Sequence, residues 1–198
     1  MVPNAGDIKF VPQRDIEYKQ EITDEARTIL GKDVPDFTYG VNLSLQYKGF
    51  EFSMFGQGIS GTKVAFDVYG VHPFYHGQDS PRKYHLKRWT EENPNPHAAY
   101  PRIYSASSVH TTYNRNFSDY HLFDSDYFRF KTLSLGYTVP SATVKNWGLQ
   151  SLKVYVTGEN LFTVRADKKM EDFDPETAGG VIYTLGTKSV AFGVNISF

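Results

Sequence analysis

Cysteine is missing from all 198 residues. Its absence excludes a disulfide framework and any thiolate metal site, and it leaves the redox compartment open. Charge of one sign is missing as well: 21 Lys+Arg stand against 22 Asp+Glu, a formal net charge of −1 without runs of like charge. That balance offers no electrostatic footprint for nucleic acid, so no nucleic-acid partner is expected. No apolar run reaches the roughly 18 residues that a membrane-crossing helix requires. The opening MVPNAGDIKF carries neither the basic nor the apolar region of a signal peptide, and no export signal is expected there. Gly-x-Ser-x-Gly, phosphate-loop and dinucleotide signatures are absent too, so no catalytic residue and no cofactor is expected.

Aromatic residues, by contrast, are plentiful. They make up 16% of the chain, with Tyr 14 and Phe 15 but Trp only 2. Such a load suits strands, and it suits proteins that set amphipathic rings at a lipid–water boundary. The mean hydropathy of −0.45 does not weigh against a membrane barrel, because only alternate residues of its strands meet lipid. Periodicity decides instead.

Five segments alternate with a period of two. In FTYGVNLSLQY (37–47), Phe37, Tyr39, Val41, Leu43, Leu45 and Tyr47 share one face and Thr38, Gly40, Asn42, Ser44 and Gln46 the other. Lys48-Gly49 makes a tight turn into FEFSMFGQG (50–58), with Phe52 and Met54 outward. In YFRFKTLSLGYT (127–138), Phe128 and Phe130 hand over to Leu133, Leu135 and Tyr137 on the opposite parity. A bulge is expected near Lys131-Thr132, because a one-residue slip flips every later side chain. SLKVYVTGENLF (151–162) sets Leu152, Val154 and Val156 against Lys153, Tyr155 and Thr157, and SVAFGVNISF (189–198) sets Val190, Phe192, Val194, Ile196 and Phe198 against Ala191, Gly193, Asn195 and Ser197.

The connections alternate between short and long, the pattern of an outer-membrane barrel with short periplasmic turns and long extracellular loops. The outward faces listed carry no charge, where one charge at the bilayer midplane would cost about 2–4 kcal/mol. A soluble all-β carbohydrate-binding module remains the alternative, with Tyr39, Leu43, Leu45, Val154 and Val194 as its core. In the barrel reading Arg129 and Lys131 face inward, toward where a plug would sit.

Other constellations are weaker. The histidines (72, 76, 85, 97, 110 and 121) lie in or beside the long connection. His72-x₃-His76 has ligand spacing only on a helix, which Pro73 opposes, so surface histidines and no metal are expected. Asp172, Asp174 and Glu176 lie too close together on one loop beside Pro175 for a pair of acids flanking a sugar. Aromatic residues of the long connection (Phe74, Tyr75, Tyr84, Trp89, Tyr100, Tyr104, Tyr113) are candidates for stacking on a ligand. Trp89, Tyr100, Tyr104 and Tyr113 are carried forward as candidate ligand or lid contacts.

The segments FTYGVNLSLQYKGFEFSMFGQGISG, RWTEENPNPHAAYPR (88–102), DYFRFKTLSLGYTVP (126–140), LKVYVTGENLFTV (152–164), DFDPE (172–176) and VAFGVNISF resemble, in order, the C-terminal part of SusC/RagA-type, TonB-linked outer-membrane transporters. The resemblance covers residues 6–198. It implies the last five strands of a large transmembrane β-barrel, an all-β fold. The expected division is an extracellular loop region 1–36, a strand hairpin 37–58, a long extracellular loop 59–126 and three strands in 127–198, with the plug upstream. It implies import of glycans or other oligomeric nutrients, a SusD-like lipoprotein lid, energy through TonB, and an outer-membrane, lipid-facing location. By the same resemblance, Phe192, Val194, Ile196 and Phe198 form the signal read by the barrel-assembly machinery. Five strands cannot close a ring that takes about 22 in transporters, so the segment is not expected to work alone. The calcium-loop run that often follows the GDIK stretch is absent here. Asp7, Asp15 and Glu17 remain as oxygens without the spacing that wraps Ca²⁺.

Overall fold

The computed structural model describes residues 2–11, 27–65, 72–74, 80–168, 171, 173–176 and 186–198. In chain order the strands are β1 (Phe37–Tyr47), β2 (Phe50–Ser60), β3 (Lys63–Ala65), β4 (Leu122–Asp124), β5 (Tyr127–Thr138), β6 (Ser151–Arg165) and β7 (Ser189–Ser197). The described residues also form two short α-helices, α1 (Val109–Asn114) and α2 (Ser141–Lys145). The chain divides into a sheet unit (34–62, 125–166, 185–198) and a loop unit (1–33, 63–124, 167–184).

The sheet unit is one antiparallel sheet in the order β1-β2-β5-β6-β7. A single row runs across it through Leu43, Met54, Leu133, Gly158 and Val190. Side chains paired across strands share a face. Every dyad of the sequence therefore lands on the same side, and the apolar face spans all five strands without a charge. The expected bulge is present. Between Phe130 and Thr132 the register shifts against both neighbours, leaving Lys131 out of the ladder. β6 adds a further residue opposite this point, where Asn160 takes a left-handed φ of 52°. The bulge lets Phe128 and Phe130 share a face with Leu133, Leu135 and Tyr137. The strands also run beyond the expected ends, β2 to Ser60 and β6 to Arg165.

Within the sheet unit, no described residue packs on the apolar face. Tyr39, Leu43, Leu45, Val154 and Val194 are 40–57% exposed, and Phe192 is 84% exposed. A soluble module would bury these five side chains. Their exposure favours a lipid-facing sheet over that alternative, since water-facing proteins seldom leave so continuous an apolar surface. Rings cluster at both ends of the face: Phe50 against Tyr137 at 4.6 Å near the tight turn, and Tyr39, Phe128, Phe130 and Phe162 near the other end. From Tyr39 to Tyr47 the strand covers about 27 Å at about 3.4 Å per residue. That is about 20 Å along the bilayer normal at a roughly 40° tilt, close to the apolar band of a membrane barrel.

Two glycines make the upper ring cluster fit. Tyr39 and Phe128 stack at 6.0 Å and 4° across β2, where a Cβ on Gly56 would meet the Phe128 ring at 2.5 Å and one on Gly58 the Tyr39 ring at 2.7 Å. The Tyr39 hydroxyl donates to the Tyr127 carbonyl at 3.4 Å over the same gap. At this end Asp126 ties the strands together. Its carboxylate accepts from Ser60 Oγ (2.7 Å), Gly61 N–H (2.8 Å) and Thr62 N–H (3.1 Å), and its carbonyl accepts from Ala166 N–H.

In the loop unit, the long connection has structure that its sequence periodicity does not reveal. β3 pairs with β4, 3₁₀ turns cover Lys83–Lys87 and Asp119–His121, and Ser108 caps α1 by accepting from His110 N–H. The expectation of surface histidines is overturned: His72, His85 and His121 are buried with Tyr100, Phe123 and Phe173. An imidazole has an apolar body and two polar nitrogens, so it enters a small core wherever those nitrogens find partners. His76 lies outside the described residues.

Gly58→Ala should destabilise the lipid-inserted protein by about 1–3 kcal/mol through overpacking. Gly40→Ala, whose Cβ would meet Phe55 at an ordinary 3.6 Å, should not. Urea unfolding in vesicles measures both.

Candidate functional site

The sheet's second face is polar. Lys153 Nζ reaches across Gly136 and donates to Glu51 Oε2 at 2.5 Å. The Ser134 and Thr157 hydroxyls are paired at 3.0 Å, and the Tyr155 ring lies over Gly193. Around them is an open recess of about 590 Å³ that also takes in Ser44, Gln46, Ser53 and Asn195. Arg129 lies on this face, but it is 5% exposed, donates through Nε to Thr163 Oγ1 at 3.0 Å and sits 5.9 Å from the Tyr127 ring. Arg129 is thus engaged within its own sheet, and Lys131 occupies the bulge.

In the loop unit, Asp7 is the centre of a buried network. Its side chain has no exposed area. Oδ2 accepts from Asn4 N–H and His110 Nδ1, each at 2.7 Å, and Oδ1 accepts from Asn114 Nδ2 at 2.9 Å. Asn114 Oδ1 accepts in turn from Ile8 N–H. Burial raises the Asp7 pKa, but hydrogen bonds from Asn4, Asn114, His110 and Tyr104 outweigh it, and the net result is a lowered value. These contacts clamp the GDIK stretch onto α1 and consume the oxygens that a cation would need. Among the described residues no group of three or more His, Asp or Glu side chains can hold a metal. Asp15 and Glu17 lie outside the described residues.

The four aromatic candidates divide between two places. Trp89 covers Gly6 and lies 5.6 Å from the Arg102 guanidinium. Tyr104 stacks on His110 at 5.0 Å, and burial followed by the nearby Asp7 carboxylate raises its phenol pKa. Tyr113 meets Phe10 edge-on at 5.1 Å. These three rings therefore pack around residues 4–10. Tyr100 is separate and buried, with its hydroxyl 3.0 Å from His72 Nδ1. Of the remaining aromatic candidates, Phe74 is 44% exposed, Tyr84 packs on His85 and Phe173, and Tyr75 lies outside the described residues. So does Asp172, while Phe173 between the DFDPE acids is buried, 5.0 Å from the Arg82 guanidinium.

Tyr100 also lines a cavity of about 640 Å³ within the loop unit, together with Tyr84, Tyr120, His121 and Phe123. The Tyr120 hydroxyl donates to the Ala99 carbonyl at 2.8 Å, and burial raises the pKa of both Tyr100 and Tyr120. Lys83, Lys87 and Lys168 stand at its wall. No sequence motif marked these lysines. Lys83 and Lys87 have one signal, the four-residue spacing in KYHLK, and Lys168 has none.

An open antiparallel sheet with one charge-free apolar face, one polar face and aromatic rows at both ends is the wall of a membrane β-barrel. Similarity to known proteins then narrows the class. No family model matches the chain. It is 29% identical to TonB-dependent receptor P3 of Formosa agariphila over 149 residues, 75% of this chain and 14% of that protein. With TonB-dependent receptor P26 of the same organism it shares 28% over 186 residues, 89% of this chain and 18% of that one. The fold recurs in the RagAB peptide importer in its open-open state (TM-score 0.61, 24% identity, 90% of this chain, 19% of that chain). It recurs likewise in a RagAB peptide transporter structure (TM-score 0.57, 26% identity, 83% and 17%). The chain is thus similar to these TonB-dependent receptors, and it spans less than a fifth of their length.

Asp7→Ala should cost about 1–3 kcal/mol, because the part-buried donors of His110 and Asn114, and the Asn4 amide, lose their acceptor. The lowered Asp7 pKa means that the unfolded state binds more protons between the two pKa values. Its stabilisation is therefore present above the unfolded value of about 3.9 and fades as pH falls through the folded one. Hydrogen exchange at the Ile8 amide should lose protection on acidification in the parent protein, and this acid dependence should be largely absent in Asp7→Asn.

Proposed function

We propose that these residues form part of the barrel wall of a TonB-dependent outer-membrane transporter. The single observation that carries this reading is the apolar face: five strands without a charge, its side chains exposed on β1 and β7 and half-buried to exposed on β2, β5 and β6, kept on one side across the bulge. No helix among the described residues is long and apolar enough to cross a membrane, and the strands have the length that crossing requires. β1 and β7 each pair on one side only, and an edge left open in lipid costs several kcal/mol per unpaired backbone group. Further strands of the complete protein satisfy both edges.

In this reading the long connections are extracellular, and the turns at Lys48-Gly49 and 139–150 are periplasmic. The polar face lines the lumen, and its recess beside Glu51 and Lys153 receives the plug. The whole protein imports glycans or other oligomeric nutrients with energy from TonB, under a SusD-like lipoprotein lid. Its relation to RagAB, whose structures are those of a peptide importer, supports an oligomeric solute and a two-component assembly. The outward row Phe192, Val194, Ile196 and Phe198 serves the barrel-assembly machinery. The chain contributes no catalytic residue to this task.

Arginine scanning of neighbouring positions tests the reading. Leu43→Arg and Val194→Arg should lower folding stability in vesicles by up to about 2–4 kcal/mol. Ser44→Arg and Asn195→Arg, on the polar face, should be far milder. Equal effects on the two faces, or a residue 1–198 product that is monodisperse and melts cooperatively in water without detergent, would sink it.

A further inference from the structure

We propose that the cavity of the loop unit is a binding site for an acidic sugar, a uronate or sulfate-bearing ring. The inference rests on the transporter reading, since it names the class of solute captured at the extracellular loops. Three observations carry it. First, its volume of about 640 Å³ falls within the roughly 300–1,000 Å³ of ligand sites. Second, one part of its wall is aromatic, with the half-buried Tyr84 and Tyr120 beside buried His121. Rings held this way offer an apolar surface to the C–H face of a sugar without the entropic cost of ordering them.

Third, among the described residues the charged groups at the wall are Lys83, Lys87, Lys168 and Glu171. Three cations against one anion set a positive potential in a partly enclosed space, where field lines concentrate. Among the described residues these three ammonium groups have no hydrogen-bond or ion-pair partner, whereas the Lys153 ammonium is paired with Glu51. Lys83 and Lys87 stand at the two ends of one 3₁₀ turn, held by buried His85, whose Nδ1 accepts from Arg82 N–H at 2.7 Å. The cations are thus carried on an anchored turn. An anionic ring matches both halves of the wall, with its carboxylate or sulfate on the ammonium groups and its body on the tyrosines. A peptide matches less well. Peptide recognition draws mainly on strand pairing, helix grooves or proline-lined grooves, and this wall presents side chains of a 3₁₀ turn.

Calorimetry on the complete detergent-solubilised transporter tests the proposal with three probes: trigalacturonate, neutral galactotriose and triglutamate. Trigalacturonate should bind at least about tenfold more tightly than the other two, and less tightly as salt is raised. The double variant Lys83→Gln/Lys87→Gln and the single variant Tyr84→Ala should each lose about tenfold or more. Lys145→Gln, on the sheet unit, should change nothing. Insertion into vesicles is scored on the same preparations. Equal binding of galactotriose, equal or tighter binding of triglutamate, indifference to the lysine variants, or no binding of any probe, each with insertion intact, overturns the inference and leaves the transporter reading in place. Failure to insert overturns both.

Discussion

Everything in the sheet unit depends on one constraint: each outward side chain must be apolar while every backbone donor and acceptor stays in a ladder. In lipid neither requirement can be relaxed, because water is not there to solvate a charge or an orphan amide. The bulge at Lys131 is where the two requirements meet. β5 changes parity in its sequence, so a regular strand would turn either Phe128 and Phe130 or Leu133 and Leu135 toward the polar side. Leaving Lys131 out of the ladder keeps both sets outward, and the added residue at Asn160 lets β6 follow. The glycines at 56 and 58 extend the same logic to shape, since they give up side chains so that Tyr39 and Phe128 can meet across β2.

The loop unit solves a different problem. It has few aliphatic residues to bury, and its small core is built from imidazoles and phenols whose polar atoms find one another. His72 meets Tyr100, Tyr120 meets Ala99, and Asp7 gathers Asn4, His110 and Asn114. Such a core specifies a shape through hydrogen bonds as much as through area, because an unpaired buried polar group is costly. It also leaves room: the cavity beside Tyr84 and Tyr120 exists because rings on short turns pack less completely than an aliphatic layer would.

The two units differ in how much of them could be read in advance. The dyads, the tight turn at Lys48-Gly49 and the slip at Lys131-Thr132 were legible because a strand's facing is a local property, repeated every second residue. The extension of β6 past Phe162 was not, since the irregularity at Asn160 interrupts the pattern before Val164 resumes it. Burial of His72, His85 and His121 was not legible either. It depends on partners distant in sequence, as with His72 and Tyr100, and a lone histidine in a loop carries no sign of what it will meet. For the same reason Trp89, Tyr104 and Tyr113 read as free rings, while in the fold they pack around residues 4–10.

By itself, then, the sequence determined the sheet: its five long strands, the single face they share and the absence of charge on that face, all of which follow from a period of two. What only the tertiary structure decided was whether that face is covered, and which loop residues come together. Exposure of the face separates a barrel wall from the core of a soluble module, and no alternation pattern carries that information, because both bury or expose the same residues in the same order. The Asp7 network and the lysine-rimmed cavity likewise exist only once segments about a hundred residues apart are brought into hydrogen-bonding range, at distances that long-range packing sets and local sequence does not.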